Sequence, residues 1–235
     1  MLDVVLVAPV YRNAATLAEL ADRVAAALDR RAWRLRFVVD ACPEGSLAEA
    51  RRLAEADPER VAVTLLAVNR GQHGALAEGL AAEDDAAAWA CLDADLQDPP
   101  EAVPALLGRL AAGGVDAVFA GRRGSYESRA RLVTGRLHRA ALRRLTGLPA
   151  DAGAFVALGP SAREAVVRLR APSIVAAVGV AGVRAVSVPV ERAVRPTGRS
   201  GWTTTARIRQ SARTLAWVVH RRNEGRQSFP SWQGW

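Results

Sequence analysis

The sequence predicts one α/β domain with a Rossmann-like, mostly parallel central sheet and helices on both faces. Short apolar runs alternate with longer segments whose apolar residues recur at helical spacing, which is typical of parallel strands joined by helices. Half of the 235 residues are hydrophobic, enough to fill a sizeable core. Asp40, Asn69 and Asp93 each follow a predicted strand, so we expect them at one edge of the sheet, where α/β domains bind ligands.

The predicted elements alternate regularly through the first 92 residues. The strands are residues 4–10, 35–39, 61–68 and 88–92, and the helices between them are residues 15–28, 48–54 and 74–82. Pro99 and Pro100 then end the last of these strands, and a helix with acidic Glu101 in its first turn is expected to begin there. We divide the chain into a domain of residues 1–202 and a C-terminal helix and tail of residues 203–235.

The chain carries a formal charge of +8, and all of its Lys and Arg positions are arginine. The arginines are concentrated in residues 129–144 and 207–226. A positive field of this kind attracts nucleic acid, anionic lipid and phosphorylated substrates.

Cysteine use and hydropathy indicate a cytoplasmic protein. Cys42 and Cys91 lack metal-type spacing, so we expect reduced, packed thiols. No run reaches the roughly 18 to 20 apolar residues of a membrane span, and no basic region precedes the short N-terminal apolar run. We therefore expect neither secretion nor a transmembrane segment.

The segment Asp93-Ala94-Asp95 contains the candidate metal ligands. Side chains two apart on an extended segment point the same way, so both carboxylates can bind one hard divalent cation, Mg²⁺ or Mn²⁺. A metal with open positions can then bind a diphosphate. The alternative is an acidic loop with a proline turn, in which Gln97 and Asp98 either orient the loop or only complete turn hydrogen bonds.

Three other protein classes fit the sequence poorly. A Rossmann dehydrogenase and a sugar-1-phosphate nucleotidyltransferase both need a glycine-rich turn after the first strand, where residues 9–13 contain no glycine. A non-enzymatic nucleic-acid-binding protein would be expected to place aromatic residues among its arginines, and no nucleic-acid motif is present. We therefore expect no nucleic-acid partner.

Residues 93–101, DADLQDPPE, resemble the metal-binding motif of family 2 glycosyltransferases, particularly the branch with dolichol-phosphate-mannose synthase and bacterial polyprenyl-phosphate glycosyltransferases. Residues 5–13 resemble the family's VxxPVYNE, with Arg12 and Asn13 in place of the usual Asn and acid. Residues 37–46 resemble its second-strand motif, with Val39 in place of the first of two aspartates. Further similar segments extend the match over roughly residues 3 to 202: NRGQHGALAEGL at 69–80, Gly121-Arg122, DAGAF at 151–155 and RPTGRSGW at 195–202.

The resemblance implies a GT-A fold and an inverting, metal-dependent transferase that takes a sugar from a nucleotide-diphosphate donor. It implies that Asp93 and Asp95 bind the metal and that Asp95 is catalytic. Asp40 would accept the ring N–H of a uracil or guanine type base, unless it only caps a helix or a turn. The donor-binding residues implied are Pro9, Tyr11, Asp40, Asn69, Asp93, Ala94, Gln97, Arg195, Arg199 and Ser200.

The arginine segment after residue 194 has two interpretations. In the resembling enzymes it folds over the diphosphate, with Gly198 allowing close approach; otherwise it is a flexible basic loop. Gly201 replaces the Lys that commonly follows the Ser in this family, which removes one charge that could bind the acceptor phosphate.

Two acceptor classes remain open. Polyprenyl phosphate is favoured; it arrives already anionic and needs orientation by arginine, with Arg122, Arg129 and Arg131 as candidates. A soluble hydroxyl acceptor, such as a secondary metabolite or polysaccharide precursor, needs a general base, for which Asp151 is the candidate. His73 is either structural or a donor or supporting contact, and a solvated helix face is expected for Arg136, Arg139, Arg143 and Arg144.

Residues 203–222 predict a basic amphipathic helix. It either lies on an anionic membrane, as a peripheral attachment to the inner face of the cell membrane, or packs its apolar side on the domain. Trp232 and Trp235 in the polar tail favour a contact with an interface or a partner. Association into homo-oligomers is left open.

Overall fold

The computed structural model describes residues 1–42, 45–123, 129–192 and 204–227. Within them, seven strands form one sheet in the order β3-β2-β1-β4-β6-β5-β7. Every neighbouring pair is parallel except those that include β6, which is antiparallel to β4 and to β5. The strands are β1 Val4–Val10, β2 Trp33–Asp40, β3 Val61–Leu66, β4 Trp89–Cys91, β5 Ala117–Arg123, β6 Val156–Leu158 and β7 Ala185–Glu191.

Helices cover both faces of the sheet. The α-helices are α1 Ala14–Ala27, α2 Ser46–Ala56, α3 Gly71–Ala81, α4 Val103–Ala111, α5 Arg129–Thr146, α6 Pro160–Leu169, α7 Ile174–Val180 and α8 Thr204–Gln227, and a 3₁₀ turn at Pro100–Ala102 precedes α4. Leu6 on β1 packs in one core with Leu17 of α1, whereas neighbouring Val7 packs in the other with Leu76 of α3. Alternate residues of a strand are thus buried on opposite faces, which confirms the predicted class.

The predicted elements before residue 92 are all present, with bounds that differ by up to three residues. β1 agrees at both ends, and β3 ends at Leu66 instead of residue 68. α3 begins at Gly71, three residues before the predicted start, because the Asp40 carboxylate accepts the Arg70 and Gly71 backbone N–H groups. This contact spans some 30 residues of sequence, so helical spacing could not reveal it.

The C-terminal helix packs on the domain. α8 lies against α5 and α7, and Val218 is fully buried in the second core. The proposed division at residue 202 falls in residues 193–203, outside the described residues, and stays a prediction. No helix among the residues described here is long and apolar enough to cross a membrane.

The strand directions define one functional edge. The parallel strands β1 to β5 and β7 all end at the same edge of the sheet, and antiparallel β6 begins there. We call this the carboxyl edge. The segments containing Tyr11, Asp40, Asn69, Asp93 and Asp151 all lie along it, as the alternation of elements predicted.

Candidate active site

The segment after β1 is fixed to the segment after β2 by two hydrogen bonds to side chains of the latter segment. The backbone N–H of Arg12 donates to Cys42 Sγ at 3.2 Å, and that of Asn13 donates to Ser46 Oγ at 3.1 Å. Arg12 has a φ of 60°, so the chain turns sharply there. Tyr11 keeps 42% of its surface exposed. A fixed loop therefore presents an accessible aromatic ring at the carboxyl edge.

Asp40 ties β2 to the start of α3. Its Oδ1 accepts the N–H of Arg70 at 2.6 Å, its Oδ2 accepts that of Gly71 at 2.8 Å, and the residue is only 3% exposed. The Asn69 side-chain amide also donates to the Asp40 carbonyl at 3.1 Å. This arrangement favours the helix-capping alternative from the sequence, because both carboxylate oxygens already bind backbone donors. Direct recognition of a base by Asp40 stays a prediction.

The candidate metal-binding loop, residues 93–98 and called the metal loop below, lies directly after β4. Asp93 Oδ1 accepts a hydrogen bond from the side-chain amide of Gln72, and Asp95 Oδ1 accepts the N–H of Gln97 at 3.1 Å. Buried Asp98 accepts the N–H of Asp93 at 3.3 Å. Leu96 turns the loop with a φ of 62° while its side chain stays buried. The loop is thus anchored from both ends, with Asp93 and Asp95 half-buried.

The donor set suits Mg²⁺ or Mn²⁺. Asp93 and Asp95 supply hard carboxylate oxygens, as these ions prefer. Among the described residues, no group of three or more His, Cys, Asp or Glu side chains could hold a metal ion. A site with two carboxylates needs water or substrate oxygens to complete its coordination, which is the usual arrangement for Mg²⁺ with a phosphorylated substrate.

Arg192 reaches the metal loop from the end of β7. Its Nη2 lies 3.9 Å from Asp93 Oδ2, and its Nε lies 3.6 Å from Asp98 Oδ1. The arginine and Asp93 are each about one fifth exposed, at 21% and 19%. A cationic side chain directly after β7 therefore lies next to the candidate metal ligands.

Asp151 sits beside a glycine that makes room for it. A Cβ at Gly121 would collide with Asp151 Oδ2 and with Ser187 Oγ, so only glycine fits this position of β5 without a shift. Ser187 Oγ is buried and forms no hydrogen bond within the described parts of the chain. Asp151 itself is exposed. The candidate base is thus accessible and in contact with β5.

An open groove of about 1080 Å³ extends from Asp151 along the C-terminal part of α5. Its arginines are Arg139, Arg143 and Arg144, and the last two are exposed, as the sequence predicted. The sequence did not predict that they line a groove that ends at Asp151.

The family model described as glycosyl transferase family 2 matches residues 5–159, about two thirds of the chain. The chain belongs to this family. This confirms the relationship inferred from the sequence motifs, and the match includes every element from β1 to β6.

Curated relatives of this family 2 glycosyltransferase include two undecaprenyl-phosphate 4-deoxy-4-formamido-L-arabinose transferases. The protein from Pseudomonas aeruginosa (strain LESB58) is 37% identical over 144 residues, covering 60% of this chain and 42% of the relative. The one from Sodalis glossinidius is 34% identical over 144 residues, covering 60% and 44%. The chain thus spans less than half the length of these relatives.

Solved structures confirm the GT-A fold of this family 2 glycosyltransferase. The mannosyltransferase PcManGT from Pyrobaculum calidifontis, in complex with GDP-Man and Mn²⁺, has a TM-score of 0.60 at 18% identity, covering 97% of this chain and 76% of that one. Glucosyl-3-phosphoglycerate synthase from Mycobacterium tuberculosis, with Mn²⁺, UDP and phosphoglyceric acid, has a TM-score of 0.69 at 18% identity, covering 94% and 78%.

Several predicted site residues of this glycosyltransferase cannot be compared with the structure. Arg195, Arg199 and Ser200 lie outside the described residues, and Arg122 and Arg131 have a described backbone but no described side chain. Pro9 and Ala94 lie at the carboxyl edge, and the Ala94 carbonyl accepts the Thr16 hydroxyl at 2.5 Å.

Sequence reasoning missed Gln72 and Arg192, which both contact Asp93. Their positions could have indicated them, since Gln72 closely follows Asn69 and Arg192 directly follows β7. His73 lies in the first turn of α3 and is half-buried.

Proposed function

We propose that the chain is the catalytic domain of an inverting, metal-dependent glycosyltransferase that moves a sugar from a nucleotide-diphosphate donor to a polyprenyl phosphate. The observation that carries this proposal is the anchored metal loop, in which Asp93 and Asp95 present carboxylates at the carboxyl edge. The acceptor class is supported by the names of the undecaprenyl-phosphate transferases.

The donor is proposed to bind along the ends of β1 to β4. Pro9 and exposed Tyr11 border the nucleotide, and Asn69 with Asp40 fixes the turn before α3. We propose a guanine or uracil type base, and two structural neighbours solved with GDP-Man and UDP support this proposal. Ala94 and Gln97 then border the diphosphate next to the metal loop, and Arg195, Arg199 and Ser200 are proposed to bind its phosphates.

Asp93 and Asp95 would hold Mg²⁺ or Mn²⁺, which when bound neutralises the negative charge of the departing diphosphate. Asp95 is proposed to be indispensable as a direct metal ligand, and the backbone N–H of Gln97 orients its carboxylate. The side-chain amide of Gln72 orients the carboxylate of Asp93.

The groove beside Asp151 supports an anionic acceptor. A phosphate monoester has a second pKa of about 6, so it is already deprotonated at neutral pH and needs cationic partners more than a base. α5 contains six arginines and no acid. We propose that Arg122 and Arg131 orient the acceptor phosphate and that the groove arginines, Arg139, Arg143 and Arg144, extend this positive surface.

A soluble hydroxyl acceptor is the second candidate, and the position of Asp151 favours it. An exposed carboxylate at the carboxyl edge is placed to accept a proton from an attacking hydroxyl. One structural neighbour was solved with phosphoglyceric acid, a soluble molecule.

The protein is proposed to bind the inner face of the cell membrane through α5 and α8. The apolar side chains of α8 differ in exposure. Val218 is buried and Trp217 packs on the core, whereas Ile208 and Val219 are 53% and 44% exposed. Leu137 of α5 is 66% exposed. Exposed apolar residues among arginines are typical of a helix pair at a lipid surface. Trp232 and Trp235, which lie outside the described residues, are proposed to strengthen this contact.

A transfer assay tests the proposed function. The chain is incubated with radiolabelled UDP- or GDP-hexose, Mn²⁺ and undecaprenyl phosphate, and lipid-extractable label is counted. We expect transfer that EDTA abolishes, that Asp151→Asn largely retains, and that Arg122→Ala or Arg131→Ala weakens through a higher acceptor KM. Arg168→Gln, an exposed arginine on α6, is the control.

The opposite ranking would identify a hydroxyl acceptor. In that case label passes to a soluble sugar alcohol, and Asp151→Asn removes the activity. Full transfer in excess EDTA would contradict the metal-dependent proposal under either acceptor.

A further inference from the structure

Arg192 contacts the metal loop in an unusual manner. Its guanidinium lies 3.6 Å from Asp98 and 3.9 Å from Asp93, whereas charge-assisted hydrogen bonds between such groups are about 2.7 to 2.9 Å long. Its Nε is buried and makes no hydrogen bond to the described residues. The contact is therefore mainly electrostatic, and the Nε–H group of Arg192 has no hydrogen-bond acceptor among the described residues.

Arg192 compensates two carboxylates that would otherwise repel each other. Asp98 is only 1% exposed, and a buried ionised carboxylate is costly without a nearby cation. Asp98 also accepts the backbone N–H of Asp93, so the two acids belong to one turn. The guanidinium thus stabilises the loop in the conformation that presents Asp93 and Asp95.

A divalent cation bound by Asp93 would share that carboxylate with the guanidinium. Two like charges beside one acid repel each other, so each weakens the binding of the other. Arg192 also lies beyond residue 159, where the family match ends, so nothing in that match assigns it a role.

We propose that Arg192 is a positioning residue that acts as an internal cation of the metal loop and competes with the divalent metal for Asp93. Metal binding loosens the Arg192–Asp93 pair, and the released guanidinium is then free to donate to an anionic ligand at the same edge. The inference rests on the proposed metal site but not on the identity of the sugar acceptor.

Mn²⁺ titration of the intact chain without nucleotide tests the inference, with free Mn²⁺ followed by electron paramagnetic resonance. Arg192→Gln is expected to tighten Mn²⁺ binding by about three- to tenfold, because the competing charge is gone. Arg192→Lys keeps the charge and is expected to bind Mn²⁺ like the wild type. Arg184→Gln is the matched control, since Arg184 precedes β7 at its other end and lies 3.8 Å from Asp116. It should leave Mn²⁺ affinity unchanged.

A second variant covers the risk that Arg192→Gln unfolds with Asp98 left buried. Asp98→Asn together with Arg192→Gln removes one charge of each sign, so the net charge of the loop is unchanged. Competition predicts Mn²⁺ affinity at or above the wild-type value in this variant, whereas a purely structural role for Arg192 predicts weaker binding.

Unchanged or weaker Mn²⁺ binding by folded Arg192→Gln overturns the inference. If wild-type transfer is still metal-dependent in that case, the proposed function survives and only the role of Arg192 fails. Absence of Mn²⁺ binding in both the wild type and Arg192→Gln overturns the metal site and the inference together.

Discussion

The two halves of the chain carry opposite charge. Residues 1–116 contain 19 acids and 11 arginines, a net charge of −8, whereas residues 117–235 contain 5 acids and 21 arginines, a net charge of +16. The first half forms β1 to β4 and the metal loop, and the second forms β5 to β7 and the helices α5 and α8. The candidate metal ligands thus come from the first half, whereas most of the arginines come from the second.

The halves also differ in how their polar groups are held. In the acidic half Asp40, Asp93 and Asp95 all accept hydrogen bonds from defined partners, which fixes the positions of their oxygens. In the basic half Arg143 and Arg144 are exposed on α5, which contains no acid. The candidate site thus combines carboxylates held by defined hydrogen bonds with exposed arginines of α5 that add a broad positive field.

The largest expected effect on turnover comes from removing one proposed metal ligand in the acidic half. Asp95→Ala should lower turnover by at least about a hundredfold, since it removes a direct metal ligand, with little change in melting temperature because the residue lies at the edge. Asp85→Asn, at an acid 78% exposed in the same half, is the control for net charge. Steady-state kinetics with Mn²⁺ measures both. Equal activity of the two variants would show that overall charge matters more than the site.

Next in size is the effect of filling the space beside Asp151 in the basic half. Gly121→Ala should displace the Asp151 carboxylate and Ser187, destabilising the fold by about 1 to 3 kcal/mol and lowering transfer to a hydroxyl acceptor. Gly108→Ala is the matched control. Apart from the adjacent residues and the backbone of α4 itself, no atom of the described residues lies within 4 Å of an added Cβ there, and alanine should stabilise α4 by about 0.5 to 1 kcal/mol. Thermal unfolding and kinetics distinguish the two. Wild-type stability in Gly121→Ala would contradict the close contact.

A third, smaller effect tests whether vesicle binding depends on the arginines of α8 or only on the total positive charge. Arg209→Gln with Arg213→Gln should weaken binding to phosphatidylglycerol vesicles about 10- to 30-fold, since each arginine near an anionic surface contributes about 1 kcal/mol. Arg30→Gln with Arg31→Gln removes the same charge from exposed positions in the acidic half and should change binding little. Sedimentation at low and high salt measures both. If the intact protein stays in the supernatant at low salt, a soluble acceptor becomes the better proposal.

The sequence predicted the acidic half better than the basic half. The strands before residue 92, their carboxyl edge and a carboxylate-bearing loop after β4 could be predicted because each depends on local sequence patterns. Metal binding by Asp93 and Asp95 stays a prediction. Capping by Asp40 was one of two alternatives that the sequence left open. The Gly121–Asp151 contact and the reach of Arg192 could not be predicted, since each joins residues about 30 or more positions apart. Contacts of that kind depend on how the strands are arranged, which local patterns do not determine.

The smallest predicted effect is a pH dependence in the basic half. Burial, and secondly the charge of Arg139, lower the pKa of His138 on α5, so the folded chain disfavours its protonation. The unfolded chain has a histidine pKa of about 6.5, so it binds more protons as the pH falls below that value. The contribution of His138 to the free energy of unfolding is therefore complete above about pH 6.5. It declines as the pH falls toward the lowered pKa of the folded state. Urea unfolding between pH 7.5 and 5 should show this decline in the wild type and a smaller one in His138→Gln. An identical slope in both would show that protonation of His138 does not contribute to the decline, which would contradict a lowered pKa for His138 in the folded chain.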